Sequence, residues 1–389
     1  MKYALTILFC ILLCGCTVTN TPYNSTNKTE IIKVKNYLGY FQDEDGNMVL
    51  PLNTDCYLTT VRDDLKQEMI DTASKMLFEY HRLLDSHKYY RDENGNRIIN
   101  LKTINSNFNE EIIIDEKLYN AIREAIEISI LTKGYFNPTI GKVADVYEGR
   151  FLSYETENTD PDSKKLETAM ATVVPYELLE EHIILNPQKS SVTLIPYNGY
   201  EFEIDLGAFS KGHVSEMIYN KLISYNSSFI LNCGSSSLIT YSNPDENVNW
   251  SIGAKVPDKP DETLFAFKLN NGALSTSGDY EQYYLLEDGT RRHHILNPFT
   301  GVSENYYREI LLSCNEKAGL MDAFTTALYS IEDIDEAISM IENIEDYYDI
   351  SINYCFVSEG YRLTVNKAFY DEFIIQYNSS DINKIEVIE

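Results

Sequence analysis

Apolar residues recur at helical spacing in several separate stretches. Over residues 64–84, Met69, Ala73, Met76, Leu77, Tyr80 and Leu83 fall along one face, which predicts a helix. Residues 115–132 repeat the pattern with Leu118, Ile122, Ala125, Ile126 and Ile130, and Gly134 predicts where it stops. Further helices are expected at 214–224 and 318–331. In the latter, Leu320, Phe324, Ala327, Leu328 and Ile331 share a face. Short strands are predicted at 191–194, 201–204, 229–231, 250–254, 264–268 and 354–357. The run Asp92-Glu93-Asn94-Gly95-Asn96 reads as a turn, and the acidic stretch 148–165 as a surface loop or insertion. Strands and helices mix without strict βαβ alternation, which predicts one compact α+β domain.

The amino terminus is patterned differently. Lys2 precedes an apolar run over residues 4–13, too short for a comfortable permanent membrane span. The run ends Leu13-Cys14-Gly15-Cys16, which resembles a bacterial lipobox, with Cys16 as the lipid-bearing first residue of the mature chain. Residues 17–35 are rich in Asn, Thr and Ser and read as a tether. The expected location is the extracytoplasmic face of a bacterial membrane, held by an N-terminal lipid anchor.

Charge narrows the choice of partner. Across 389 residues, Lys and Arg total 32 and Asp and Glu 60, a net charge of −28. Nonspecific nucleic-acid binding needs a basic surface against phosphate, so no nucleic-acid partner is expected. An anionic ligand must be held by local cations, dipoles or a metal. Cys10 and Cys14 lie in the leader, and Cys16 lies at its end as the residue that would carry the lipid. Cys56, Cys233, Cys314 and Cys355 are widely spaced with no CxxC, which argues against zinc and leaves free thiols and disulfides both open.

Four segments carry candidate chemistry. Residues 201–224 read as strand, glycine turn and helix, with Gly207 and Gly212 in the turn and Lys211 beside the helix start. That is a phosphate cradle or merely a structural turn; it is neither a dinucleotide fingerprint nor a P-loop. Asp322 and Thr326 are four residues apart on a helix, opposite its apolar stripe. They form either a solvated patch or a pair of oxygen ligands for a hard cation such as Mg²⁺. His293 and His294 are adjacent, so in a strand only one faces a given pocket. That one could bind phosphate, move a proton or be structural. Leu274-Ser275-Thr276-Ser277-Gly278-Asp279-Tyr280 reads as a small-residue turn able to lie against a ligand. A Gly-x-Ser-x-Gly elbow and an HExxH are both absent from the sequence, so hydrolase triads and zincins are not supported.

Together these pieces resemble the FAD:protein FMN transferases, the ApbE-like flavin-trafficking lipoproteins, and they occur in that family's order. Tyr135-Phe136-Asn137-Pro138-Thr139-Ile140-Gly141 resembles its Phe-Asp-Pro-Thr-x-Gly element. Residues 205–212, Asp-Leu-Gly-Ala-Phe-Ser-Lys-Gly, resemble its Asp-Leu-Gly-x-x-Ala/Ser-Lys-Gly turn. Asn232-Cys233-Gly234 stands at its Gly-Gly pair, with Ser235 replacing the second glycine. Thr276-Ser277-Gly278-Asp279-Tyr280 matches Thr-Ser-Gly-Asp-Tyr. His294-Ile295-Leu296-Asn297-Pro298-Phe299-Thr300-Gly301 resembles His-Ile-x-Asp-Pro-x-Thr-Gly, and Asp322-Ala323-Phe324-Thr325-Thr326-Ala327 matches Asp-Ala-x-x-Thr-Ala. Asn297 and Asn137 stand where the family usually has Asp, and Met321 where it has Ala.

The resemblance implies a single T-fold-related α+β catalytic domain over residues 41–375, behind a signal peptide (1–15) and a tether (16–40), with a tail at 376–389. It implies FAD as substrate and Mg²⁺ on its pyrophosphate. A threonine hydroxyl of an exported or membrane flavoprotein of electron transfer takes the FMN, and AMP leaves. By the same resemblance, Asp322, Thr326 and the main-chain carbonyl of Ser210 hold the metal. Lys211 and Gly212 steady the phosphate side, and Asp205, Thr276, Ser277 and Gly278 belong to the FAD pocket. His294 activates the hydroxyl or positions the phosphoryl group. Two other readings share the site: an Mg²⁺-dependent FAD pyrophosphatase, and a lipoprotein that binds FAD without turning it over.

Overall fold

The computed structural model describes residues 19–20, 30–31, 36–43, 46–147, 149–151, 159–374 and 382–389. Its centre is a nine-stranded sheet. The strands are β1 (Asn36–Tyr37), β2 (Cys56–Thr60), β3 (Phe229–Cys233), β4 (Ser237–Tyr241), β5 (Gly272–Gly278), β6 (Glu309–Cys314), β7 (Asn353–Ser358), β8 (Arg362–Asn366) and β9 (Lys384–Ile388). They lie side by side in that order. Every neighbouring pair is antiparallel except β8 and β9, which run parallel.

Period-two alternation gives each face of this sheet its own core. Phe229, Leu231, Ile239, Ala273, Ile310, Leu312, Tyr354 and Phe356 face the helices. The intervening Ile230, Leu238, Leu274, Leu311, Cys355 and Val357 face the opposite way, onto a hairpin formed by Ser251–Val256 and Lys259–Lys268. Trp250, Phe265, Phe267 and Phe369 fill that second core.

Among the described residues the five long helices are α1 (Lys66–Leu84), α2 (Glu116–Leu131), α3 (Gly207–Leu222), α4 (Ala318–Tyr329) and α5 (Ile334–Tyr348). Local signals set their ends. Asp115 caps α2 through the N–H of Lys117, and Gly134, at φ 83°, closes the turn that follows. Helices α3 and α4 pack closely against each other and against the sheet, α4 chiefly on β5 and β6.

Several expectations need correction. Residues 201–204 form no strand; Glu203 makes one isolated bridge with Ile140. Helix α3 begins at Gly207, not at residue 214, so Ser210, Lys211 and Gly212 are helical and not part of a turn before it. Residues 274–278 are not a turn but most of β5, a central strand. A helix, Ser163–Met170, emerges from the end of the stretch read as a loop. The folded unit also reaches past both ends of 41–375, since Asn36–Tyr37 and Lys384–Ile388 join the sheet. Cys56, Cys233, Cys314 and Cys355 are buried free thiols. Cys16 and the leader lie outside the described residues. Among those residues, no helix is long and apolar enough to cross a membrane.

Candidate functional site

A cleft of about 460 Å³ opens where α3, α4 and the edges of β5 and β6 meet the loops that join them. That volume is within the usual range for small-molecule sites. Its wall includes Asp205, Ser210, Lys211, Thr276, Ser277, Gly278, His294, Asp322 and Thr326. Residues separated by more than a hundred positions in sequence thus converge on one cavity.

Asp322 is the anchor of this wall. It is 4% exposed, so it does not belong to a solvated patch. Its Oδ2 accepts the backbone N–H of Gly212 at 2.9 Å, and its Oδ1 accepts the Ser275 hydroxyl at 3.1 Å. The Lys211 ammonium stands 3.7 Å away. Thr326 lies one turn along α4, where its hydroxyl is 3.4 Å from the Asp322 carbonyl. Ser277, on the same face of β5 as Ser275, donates to Thr325 at 2.9 Å. The strand's two serines therefore clamp α4 and fix Asp322.

Glycine at 212 serves this packing, not a special backbone angle. A Cβ there would come within 2.2 Å of the Ala318 carbonyl oxygen and 2.7 Å of the Asp322 Cβ. Gly212 is buried and does not line the cleft, so it acts on Asp322 rather than on a ligand's phosphate. At the start of α3 the Gly207 N–H is already taken by Asp205 Oδ1 at 2.6 Å, so the helix offers one fewer free donor for a phosphate cradle.

The adjacent histidines separate: His293 ends a short strand, Arg291–His293, and His294 follows it in a bend. His293 is fully buried. Its Nε2–H donates to the Glu304 carbonyl at 2.7 Å and its Nδ1 accepts from Ile295 N–H at 3.3 Å. Burial drops its pKa to about 3, so it is neutral and structural. His294 reaches the cleft and solvent. The walls around its ring, and then the charge of Lys211, lower its pKa from 6.5, which leaves the imidazole free to accept a proton.

The Thr276–Tyr280 segment is pinned by charge. Asp279, 3% exposed, accepts from Arg308 Nε at 2.9 Å and from Arg291 at 3.2 Å. Gly278 is needed because Tyr280 folds back over it: a Cβ would lie 2.5 Å from the tyrosine ring. Sequence departures are also accommodated. Asn297 Nδ2 donates to Glu304 at 3.0 Å while its Oδ1 accepts from Phe299 N–H at 2.9 Å. An Asp would set two carboxylates together there. Asn137 donates to the Val174 carbonyl at 2.8 Å and accepts from Thr139.

The donor set suits a hard divalent cation that arrives with phosphate oxygens. It offers one buried carboxylate and a hydroxyl on one helix face. It is not a complete protein cage, since among the described residues no group of three or more His, Cys, Asp or Glu could hold a metal. Glu309 and Lys255 also line the cleft, and Ser275 supports Asp322 from β5; of the three, only Ser275 lies in a stretch with a motif signal.

Comparison with known proteins gives a consistent result. The model described as the ApbE family matches residues 53–350. A relative from Klebsiella pneumoniae, named FAD:protein FMN transferase, is 27% identical over 192 residues, 49% of this chain and 54% of its own length. One of the same name from Treponema pallidum is 23% identical, over 49% of this chain and 53% of its own length. The chain therefore spans about half the length of these curated relatives. One from Haemophilus influenzae, again so named, is 24% identical over 66% of this chain and 72% of its own length. The crystal structure of the ApbE protein from Thermotoga maritima superposes with a TM-score of 0.68 at 23% identity, covering 86% of this chain and 99% of that one. The flavin transferase ApbE from Vibrio cholerae gives 0.64 at 16% identity, covering 83% and 97%. At these identities the structures establish the shared fold.

Proposed function

The chain belongs to the ApbE family, and from that premise we propose that it moves the FMN part of FAD onto a threonine hydroxyl of a partner protein. The threonine oxygen forms a bond to the FMN phosphorus, the bond from that phosphorus to the bridging pyrophosphate oxygen breaks, and AMP leaves. The observation that carries the proposal is the buried Asp322 carboxylate beside Lys211, on the wall of a cleft that His294 also lines.

Asp322 and Thr326, with the main-chain carbonyl of Ser210, would hold Mg²⁺. The ion would neutralise the pyrophosphate and the charge that develops as the phosphoryl group transfers. Lys211 would meet phosphate oxygens as the nearby cation. Thr276, Ser277, Gly278 and Asp205 would border the nucleotide. A ring nitrogen of neutral His294 would take the proton of the incoming hydroxyl. The exposure of His294 also admits water, so hydrolysis of FAD to FMN and AMP is the competing outcome. Further, the lipobox-like Leu13-Cys14-Gly15-Cys16 supports an extracytoplasmic, lipid-anchored enzyme whose acceptor is an exported or membrane flavoprotein. Incubation with FAD, Mg²⁺ and a flavin-acceptor domain, reading AMP and the acceptor's mass together, separates transfer from hydrolysis.

A further inference from the structure

The cleft extends to the hairpin side of the sheet, away from Asp322. Here Glu309 on β6, Leu274, Leu311, Ala254 and Tyr280 line it. Leu274 and Leu311 lie on the sheet face opposite the helices, and Ala254 lies on the hairpin that covers that face. Glu309 is 2% exposed. Its Oε1 accepts the Tyr280 hydroxyl at 2.8 Å, while Oε2 has no hydrogen-bond partner among the described residues. A buried carboxyl oxygen without a partner is costly and needs an explanation.

We propose that Glu309 is a neutral carboxylic acid that grips the edge of the nucleotide's planar heterocycle, donating from Oε2 and accepting at Oε1. This rests on the functional reading above and adds to it a recognition residue at the end of the cleft remote from the phosphates. The flanking leucines and alanine suit the faces of a flat ring, and the acid suits its polar edge. Both adenine and the flavin ring present adjacent donor and acceptor atoms, so the chemistry is shared. Burial raises the Glu309 pKa from 4.5 to about 8, against the lowering effects of Tyr280 and Lys255 and with the help of Glu281 and Asp279. An acid at neutral pH has a proton to give. A carboxylate there would have none, and would be buried with one oxygen unpaired.

Binding of FAD, FMN and ADP to the whole protein is measured from about pH 6 to about pH 9, for wild type, Glu309→Gln and Glu309→Leu, with the melting temperature of each as a fold control. Glutamine keeps a donor and an acceptor but does not titrate. Wild-type affinity for FAD should weaken as pH rises toward 9, and Glu309→Gln should remove that dependence. Glu309→Leu should weaken FAD binding about tenfold at neutral pH. A matching loss for ADP assigns the subsite to adenine; a matching loss for FMN assigns it to the flavin. Equal affinities for wild type and Glu309→Leu, or the same pH dependence in Glu309→Gln as in wild type, overturn the assignment. Wild type that binds none of the three nucleotides overturns the functional reading itself.

Discussion

The carboxylate of Asp322 accepts a hydrogen bond from the backbone N–H of Gly212, 2.9 Å away on the neighbouring helix. This contact joins two motifs far apart in sequence. It requires α3 and α4 to touch along their backbones, which only glycine at 212 allows. Ser275 on β5 holds the other carboxylate oxygen. The rigid elements thus place the carboxylate before any ligand arrives.

Replacing that carboxylate should abolish chemistry and spare the fold. Asp322→Asn keeps the side chain's shape and should lower AMP release at least about a hundredfold. Ser275→Ala, which frees Oδ1, should lower it less, about tenfold. Undiminished Mg²⁺-dependent turnover in Asp322→Asn would refute the metal assignment.

Gly212→Ala should destabilise the protein by about 1–3 kcal/mol, because the new methyl group meets the Ala318 carbonyl and Asp322. Gly207→Ala is the control. Its Cβ would meet only Asp205, with the nearest atom at 3.0 Å. Thermal melts of the two variants give the comparison, and equal melting temperatures would remove the close-packing argument.

Ser235 sits at φ 62°, directly after Gly234 at φ 70° in the turn between β3 and β4. A side chain in that region costs about 1 kcal/mol, so Ser235→Gly should raise stability by about that amount. Denaturant titration measures it.

His294→Ala should slow transfer far more than it weakens FAD binding. Because the wild-type imidazole has a lowered pKa, it stays neutral well below pH 6.5. The transfer rate should therefore hold steady from neutral pH down past 6.5 and fall only in more acid solution. A loss of FAD affinity as large as the loss of rate would make His294 a binding residue.

Glu309 makes a stability prediction of its own. Its folded pKa of about 8 exceeds the unfolded 4.5, so the folded state holds a proton that the unfolded state has lost between these values. Its contribution is fully present below pH 4.5 and is lost as pH rises through 8. Relative to Glu309→Gln, wild type should weaken progressively across that window and level off above it. Parallel stability curves would show that the carboxyl ionises normally.

Much of this was legible in the sequence. The helices at 66–84 and 116–131 followed from apolar spacing, because their buried faces are simple stripes. That only one of the two histidines faces the cleft was legible as well, although His294 stands just past the end of the strand and not within it. Other features were hidden for physical reasons. In β5 the residues Ser275 and Ser277 look like turn residues, yet their hydroxyls are spent on Asp322 and Thr325 inside the protein. The start of α3 is hidden in the sequence because Gly207 and Gly212 read as breakers, whereas Gly212 is small to admit another helix. Glu309 could not be found by pattern at all, since a lone acid in an apolar strand announces its burial only once the sheet is formed.

The most direct test is the mass of a flavin-acceptor domain after incubation with the wild-type protein, FAD and Mg²⁺, with AMP measured in the same tube. The expected result is a gain of one FMN on a threonine and a matching amount of AMP. AMP with an unmodified acceptor, for a domain that a known flavin transferase does modify, would contradict it and leave a pyrophosphatase.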